Sequence, residues 1–367
     1  MSRIVVKLGT SVLTAGTPHL NQRRMLDLVG QVAGLCESGH GVVLVSSGAV
    51  AAGRALLDDP HLNRSVPARQ MLSAIGQPRL MHIYADLFAI FEVHVAQVLL
   101  TRGDVTHRER YLNARDTLMS LLARAVVPII NENDTVSTAE IRVGDNDNLS
   151  AYVANLIDAD LLVLLTDQPG LFTTDPRTDP NAQLIPVVDR IDEALFAAAG
   201  GSGSPLGTGG MRTKLEAAQF ATRSGTTVVI AQGARPDVLL DLMGPDCRSI
   251  GTWFEPTSTH MESRKRWLLS ESPHGSLHVD AGAVRALREH KVSLLPVGIT
   301  AVHGAFDRGV VVGILGPDGA AVARGLATYS SAELDRIRGV QSERIVDRLG
   351  YTLGNEAVHR DYLVVMV

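Results

Sequence analysis

Short apolar runs that alternate with helix-like segments constrain the fold of this 367-residue chain most strongly. The runs are rich in Val, Ile and Leu, as the strands of a buried sheet are. Strands alternating with helices predict an α/β fold, in which a mostly parallel sheet carries helices on both faces. The predicted strands are residues 3–8, 42–45, 93–100, 126–130, 160–165 and 227–231.

The segments between these strands have apolar residues at helical spacing. The first is expected to begin at Asn21, because an asparagine side chain there can cap a helix. Gly76 and Pro78 predict a kink or break in the second. A turn near residues 175–181 joins two short hairpin arms, and a short helix is predicted after them. The predicted helices are residues 22–36, 68–91, 111–124, 191–199 and 211–224, and the arms are residues 171–174 and 183–187.

Polar residues follow most of the predicted strands. The densest group lies in residues 130–151, where acids and amides form two clusters, 131–134 and 145–148. Ligands of parallel sheets bind beyond the carboxyl ends of the strands. We therefore predict one shared site, although two turns rich in Asp and Asn would explain the same residues.

Two glycine-bearing clusters, KLGTS and GTGGMRTK, each contain a lysine, Lys7 and Lys214. Backbone N–H groups beside a mobile positive charge suit a phosphate group. The second cluster also opens a helix, whose positive end attracts anions. The alternatives are an edge-strand charge for Lys7 and a flexible linker for the glycine-rich stretch 200–210.

Several other chemistries find no support in the sequence. It has no HExxH, no Cys/His ligand pair, no GxSxG and no Walker A loop, which disfavours zinc enzymes and serine hydrolases. Lysines, glycine loops and a central carboxylate fit phosphoryl transfer instead. The net charge of −5 gives no reason to expect a nucleic-acid or membrane binder. Two distant cysteines, with no signal peptide or long apolar run, predict a cytoplasmic protein.

The pattern changes near residue 255, where a polar segment precedes a region of short strands and glycine turns. The predicted organisation is a first domain over 1–255, a linker over 256–275 and a small β-rich domain over 276–367. The strands predicted in the last domain are residues 276–279, 293–295, 310–315, 320–323 and 363–367, with one helix over 281–289.

Several motifs together resemble the amino acid kinase family, and within it the members that phosphorylate the side chain of glutamate. They are VVKLGTSVLT, VSSGAVAAGR, PIINENDTVSTAEIRVGDNDNLSA, LLTDQPGLFTTDPR and GTGGMRTKLEAA. The C-terminal region, including GYTLGNEAVHRD, resembles a PUA domain. The resemblance implies an amino acid kinase-type three-layer sandwich with a mostly parallel sheet, followed by a small β-rich PUA domain.

The resemblance also implies a reaction and its residues. ATP would phosphorylate L-glutamate to L-glutamyl 5-phosphate, the first step of proline biosynthesis. Lys7 and Lys214 would bind the phosphates, and Asp147 would hold both lysines. The glutamate-binding residues would be Ser47, Gly48, Ala49, Asp134 and Asn146, with Asp134 facing the ammonium group. The nucleotide-binding residues would be Lys7, Gly9, Thr10, Thr166, Asp167, Thr208, Gly209, Gly210, Met211, Arg212, Thr213 and Lys214.

The implied partners are ATP with Mg²⁺, glutamate, and proline as a competing inhibitor. No residue is assigned as a metal ligand, and Asp145 and Asn148 receive no role. A homo-oligomer, dimer or tetramer, is expected, and no membrane contact. Acetylglutamate kinase, aspartokinase and uridylate kinase share the lysine loops and remain alternatives. RNA binding by the last domain is a further alternative. Residues 262–367 carry 13 Lys and Arg against 12 Asp and Glu, and this near balance is weak support for binding a phosphate backbone.

Overall fold

The computed structural model describes residues 2–57, 65–136, 146–199 and 210–366. The chain forms two compact units, one of residues 1–105 and 114–259 and the other of residues 106–113 and 260–367. Part of the predicted linker is helical, because residues 260–270 form a helix whose Leu268 is buried in the second unit. The domain limits 1–255 and 276–367 stay a prediction. Within the described ranges, no helix combines the length and the apolar character that crossing a membrane requires.

The first unit contains one mostly parallel sheet. Its strands are β1 (Arg3–Leu8), β2 (Gly41–Ser46), β3 (Val95–Leu100), β4 (Val127–Glu132), β5 (Leu161–Thr166), β6 (Val187–Val188), β7 (Thr227–Gln232) and β8 (Thr252–Phe254). They lie in the order β3-β4-β2-β1-β5-β7-β8-β6, and only the β7–β8 pair among them is antiparallel. The predicted α/β fold is confirmed, and each of the six predicted strands is found within two residues of its predicted bounds.

Strand β4 extends further than the sequence indicates. Its last residues, Asn131 and Glu132, pair with Leu99 and Leu100 of β3. The expectation that the polar cluster begins as a loop at residue 131 is therefore wrong, because the ladder with β3 satisfies the backbone of these two residues. As a result, Asn131 projects from a rigid strand and is only 4% exposed.

Helices cover both faces of the sheet. The helices between residues 10 and 241 are α1 (Thr10–Thr14), α2 (Gln22–Glu37), α3 (Ala49–Leu57), α4 (Val66–Ala89), α5 (Arg102–Thr106), α6 (Arg108–Leu122), α7 (Asn146–Leu156), α8 (Glu193–Ala198), α9 (Met211–Arg223) and α10 (Val238–Asp241). Ile4, Val6 and Leu8 of β1 face a core formed with α2, α4 and α10. Successive strand residues face opposite sides, so Lys7 points to the other face, where α7 packs on β1 and α9 on β7.

Two of these helices test the sequence prediction in detail. Helix α2 begins where expected, because the side chain of Asn21 accepts a hydrogen bond from the Arg24 N–H at 3.0 Å. A kink or break was expected in α4, and the break is wrong, because the helix continues through Pro78 to Ala89. Apolar residues of α4 are buried on both sides of the proline, among them Leu72 and Tyr84. Their burial outweighs the single hydrogen bond that Pro78 cannot donate.

Helices α3 and α4 touch through their backbones. A Cβ atom at Gly76 of α4 would overlap the carbonyl oxygen of Ala49, and one at Gly53 of α3 would overlap that of Leu72. Helices can approach this closely only where glycine removes the side chain at the crossing point. The contact fixes the start of α3, and with it the adjoining turn at Ser47 and Gly48.

The second unit contains a five-stranded sheet, which confirms the predicted β-rich domain. Its elements are α11 (His260–Ser270), β9 (Gly275–Val279), α12 (Ala281–His290), β10 (Ile299–His303), β11 (Val311–Leu315), β12 (Ala321–Leu326), α13 (Ser331–Ile337), α14 (Ile345–Leu349) and β13 (Leu363–Val365). The strand order is β10-β9-β11-β12-β13. The strand predicted at 293–295 is only a single bridge between Leu294 and Val358, and β10 was not predicted.

Gly76→Ala should destabilise the first unit by about 3 kcal/mol, since the new methyl group overlaps backbone that cannot move aside. Gly34→Ala in α2 is the matched control, because its Cβ would meet only Leu240 Cδ2 at 3.4 Å. That change should be neutral or slightly stabilising, as alanine favours helix. Urea unfolding of both variants measures the difference. Equal stability of the two variants would contradict the backbone contact.

Candidate active site

The carboxyl ends of the parallel strands bring the predicted polar clusters to one edge of the sheet. β1 ends before Gly9, β2 before Ser47, β4 at Glu132 and β5 at Thr166. Neighbouring strands run parallel, so these ends lie side by side. Ser47 is tied to β1 directly, because its N–H donates to the carbonyl of Leu8 at 3.0 Å.

A buried carboxylate with two ammonium groups lies at this edge. Lys7 Nζ lies 2.7 Å from Asp147 Oδ1, and Lys214 Nζ donates to Asp147 Oδ2 at 3.2 Å. The hydroxyl of Thr213 also donates to Oδ2, at 2.7 Å. The contact with Lys7 is an ion pair without the alignment of a hydrogen bond. We call Lys7, Asp147 and Lys214 the charge triad; its members are 6%, 0% and 5% exposed.

The pKa values show how the triad shares its charge. Burial opposes ionisation of Asp147, but the ammonium groups of Lys7 and Lys214 prevail and lower its pKa from 3.8 to about 2. The pKa of Lys214 is lowered, mainly by burial and also by the ammonium group of Lys7, although Asp147 acts in the opposite direction. Two cations face a single carboxylate, so the triad has one positive charge in excess. A buried positive charge is costly unless paired, and an anion at this edge would pair it.

Two helix starts add donors beside the triad. α9 begins after Gly210, and this N-cap residue has no side chain that could bond to the first N–H groups of the helix. α1 likewise begins after Gly9 without a side-chain cap, and a Cβ at Gly9 would lie 3.4 Å from Lys7 Nζ. Free N–H groups at helix starts bind anions, most effectively next to positive charge. This part of the edge therefore suits a phosphate chain.

A network of amide side chains lies next to the triad. Asn146, which precedes Asp147, donates from Nδ2 to the Ser46 carbonyl at 3.2 Å, to Ser47 Oγ at 2.9 Å and to Asn131 Oδ1 at 3.1 Å. Asn131 in turn donates from Nδ2 to Gln77 Oε1 at 2.8 Å. Two of the residues predicted to bind glutamate, Ser47 and Asn146, are thus in direct contact.

Asp134 lies apart from this pair but is held by the same helix as Gln77. Its Oδ2 accepts a hydrogen bond from the Ser73 hydroxyl at 2.7 Å. Gly48 adopts φ +106°, a value that favours glycine, and this bends the chain between β2 and α3 at Ala49. The bend places Ser47 at the strand end rather than on the helix.

Other residues predicted to bind the nucleotide lie at the end of β5 and on α9. Thr166 is buried at the end of β5, and its hydroxyl donates a hydrogen bond to Oδ1 of the exposed Asp167 at 3.0 Å. The Arg212 side chain points away along α9, where Nε pairs with Glu216 at 3.2 Å. Asn148 is half-buried. The predicted residues Thr208 and Gly209 lie outside the described part of the chain, as does Asp145, to which no role was assigned.

Sequence reasoning missed three polar residues on α4 that contact the strand ends. Ser73 bonds Asp134, Gln77 bonds Asn131, and the Tyr84 hydroxyl lies 2.8 Å from Ser46 Oγ. All three are buried on an otherwise apolar helix face. Their spacing of four and seven residues along a helix was the signal that could have identified them.

The described residues do not provide a protein cage for a metal ion. They contain no cluster of three or more His, Cys, Asp or Glu with suitable placement. The carboxylate of Asp147 is already paired with Lys7 and Lys214, and it accepts a hydrogen bond from Thr213. With the described residues alone, a divalent cation at this edge would take most of its oxygen ligands from a bound molecule.

Comparisons with known proteins match both units. The model of the amino acid kinase family matches residues 2–232, and that of the PUA domain matches residues 275–349. A protein of Deinococcus radiodurans is 53% identical over 99% of this chain and all of its own length. One of Herpetosiphon aurantiacus is 54% identical over 99% of this chain and 98% of its own length. One of Sodalis glossinidius is 52% identical over 98% of both chains. All three carry the name glutamate 5-kinase.

Asp147→Asn should lower the free energy of unfolding by roughly 3 kcal/mol at pH 5, because it leaves two buried ammonium groups unpaired. The folded-state pKa of Asp147, about 2, lies below the ordinary 3.8. Its stabilising contribution is therefore complete above 3.8 and is lost as the pH falls through 2. Urea unfolding should therefore show that the parent and the variant become closer in free energy of unfolding as the pH falls from 3.8 to about 2.

Asp347→Asn is the control, since Asp347 pairs with Arg344 at 3.8 Å on the surface, with both side chains about two-thirds exposed. It should leave the unfolding free energy unchanged. A stability of Asp147→Asn equal to that of this control would show that the triad does not support the fold.

Proposed function

The chain belongs to the amino acid kinase family, and on that basis we propose that it transfers the γ-phosphoryl group of ATP to the side-chain carboxylate of L-glutamate. The product is L-glutamyl 5-phosphate, which makes the reaction the first step of proline biosynthesis. Full-length relatives named glutamate 5-kinase support the acceptor. The observation that carries the chemistry is the charge triad with its excess positive charge.

The reaction brings two anions together. A carboxylate oxygen must approach the phosphorus atom of a γ-phosphate, and both groups repel each other in the absence of positive charge. In phosphoryl transfer the protein contributes mainly position and charge neutralisation. Lys7 enters from β1 and Lys214 from α9, so the two ammonium groups approach the transferring group from different elements. Asp147 holds both in place from α7.

The amide network is the proposed acceptor side of the site. Ser47 and Asn146 lie between the triad and Asn131, where the reacting end of glutamate would bind. Asp134 is held by Ser73 and is suited to the substrate ammonium group. N-acetylglutamate has no such ammonium group, and Asp134 therefore favours free glutamate over it. Aspartate has the same charges, but its side chain is shorter by one methylene.

The nucleotide would lie along the other side of the edge. Gly9 and Thr10, Thr166 and Asp167, and the start of α9 at Gly210–Lys214 are the proposed contacts. Arg212 would contribute its backbone there, because its side chain is paired with Glu216. Mg²⁺ would be held mainly by phosphate oxygens of ATP, and it would supply further neutralisation of the phosphate charge.

Four further features stay predictions. They are inhibition by proline, assembly into a dimer or tetramer, a cytoplasmic location and a role of the PUA domain in RNA binding. The near balance of charge in residues 262–367 favours a role of that domain in assembly or regulation over RNA binding.

A panel of acceptors tests the proposed function. ADP release should be rapid with L-glutamate and at least ~100-fold slower with N-acetylglutamate, L-aspartate or UMP, because only glutamate matches both ends of the site. A kcat/KM for any of the other three equal to that for glutamate would refute the assignment. Repeating the glutamate assay with proline tests the predicted inhibition.

Lys214→Met should lower kcat by roughly 10²–10³, the usual effect of removing one positioned charge from a transition state. Methionine keeps the apolar stem, and Lys7 still pairs with Asp147, so the variant should fold. Lys265→Met, at an exposed position of α11, is the control and should keep full turnover. Single-turnover measurements at saturating ATP and glutamate would isolate the chemical step. A single-turnover rate constant within threefold of that of the parent would remove Lys214 from the mechanism.

A further inference from the structure

The orientation of the amide network can be assigned from one carbonyl group. Ser46 O is a backbone carbonyl and can only accept, so the atom of Asn146 that faces it must be the donor Nδ2. Asn131 Oδ1 receives that same Nδ2 and also the N–H of Glu132 at 2.9 Å. Both partners are donors, which fixes the amide of Asn131 as well.

The assignment continues from Asn131 to Gln77. Because Oδ1 of Asn131 faces two donors, its Nδ2 must be the atom that faces Gln77, and Gln77 must accept through Oε1. Asn146, Asn131 and Gln77 thus form a row of amides. The orientation of each amide in it is fixed by its neighbour, starting from the carbonyl of Ser46. The amide left over at the far end is Nε2 of Gln77, a group with two N–H donors.

Nε2 of Gln77 has no hydrogen-bond partner among the described residues, although the side chain is only 7% exposed. At the opposite end of the row, Oδ1 of Asn146 is likewise without a partner. An unpaired buried polar atom is unfavourable, and native proteins contain few of them. As far as the structure describes the chain, the row thus ends in an unpaired donor on α4 and an unpaired acceptor beside the charge triad. Both atoms are shielded from solvent, so a ligand reaches them only after neighbouring side chains shift.

The position of Gln77 indicates which part of a ligand it meets. Asn146 adjoins Asp147, so the Asn146 end of the row is the end of phosphoryl transfer. Gln77 lies at the other end, one helical turn after Ser73, which holds Asp134. If Asp134 binds the substrate ammonium group, the donor next to it lies on the side of the α-carboxylate.

We propose that Gln77 is a substrate-binding residue whose Nε2 donates to the α-carboxylate of the acidic amino acid. This inference rests on the proposed function. It assigns to α4 the recognition of the non-reacting end of the substrate. A glutamine amide bonds a carboxylate more strongly than a neutral carboxamide, because the acceptor is charged. Gln77 therefore selects substrates with a free α-carboxylate.

Two variants and two substrates test this role. Gln77→Glu keeps an acceptor for Asn131 but places a negative charge where the donor was, and Gln77→Met keeps only the length. The substrates are L-glutamate and its α-carboxamide, assayed at pH 8 with saturating ATP. Gln77→Met should lower kcat/KM for glutamate at least tenfold, mainly through KM. Gln77→Glu should do the same and also shift the ratio of kcat/KM, glutamate over α-carboxamide, at least tenfold towards the carboxamide.

Gln31→Glu is the matched control. Gln31 is also a helical glutamine, 7% exposed, whose Oε1 accepts a hydrogen bond, from the N–H of Leu239 at 2.8 Å. Both kcat/KM values of this variant should stay within twofold of the parent. A purely structural role of Gln77 would lower kcat/KM for both substrates equally and leave their ratio unchanged in both variants, and that result would overturn the proposal.

Binding without turnover provides a second measurement. L-glutamate should raise the melting temperature of the parent, and the increase should be lost in Gln77→Met. An equal increase in both proteins would contradict the contact. A parent that shows no activity on glutamate would instead refute the proposed function, so the two failures are distinguishable.

Discussion

The buried pairing of Asp147 with two lysines is the interaction on which the first unit depends. Its members lie at positions 7, 147 and 214 of the chain and are brought together only when β1, α7 and α9 have taken their places. Taking three charges out of water is unfavourable, and the attraction between them returns that free energy only at short range. The excess positive charge is also what makes the edge attractive to phosphate. The same contact therefore supports the fold and prepares the chemistry.

Much of the sheet and of the candidate site could be predicted from the sequence, because the local sequence pattern agrees with the overall fold. Buried parallel strands read as continuous apolar runs, and polar residues that follow them must meet at the carboxyl edge. Lys7 could be identified because a charged side chain is unusual within the apolar sequence of a buried strand. Asn21 was identifiable as a cap because its role depends only on its immediate neighbours. The reading of Asp147 as partner of both lysines came from family resemblance, and the distances agree with it.

The features that the sequence did not predict correctly all depend on tertiary contacts. Nothing near Asn131 in the chain indicates that β3 extends β4 through Glu132. Nothing near Pro78 indicates that burial on both sides keeps α4 intact. Gln77 and Ser73 looked like ordinary residues of a helix, since their partners, Asn131 and Asp134, are more than fifty positions away. A single sequence shows which residues are unusual for their surroundings, but not which distant residue will meet them.

The glycine contact between α3 and α4 has a consequence for movement. Because Gly53 and Gly76 bring two backbones together, sliding of one helix along the other would drive carbonyl groups into each other. The pair must therefore move as one body, which carries the turn at Ser47 together with Ser73 and Gln77. Ser47 also donates its N–H to the carbonyl of Leu8, so this body is attached to β1, the strand that carries Lys7. The separation between the amino-acid side of the site and Lys7 is thus set by backbone contacts, and not by side chains that can rotate.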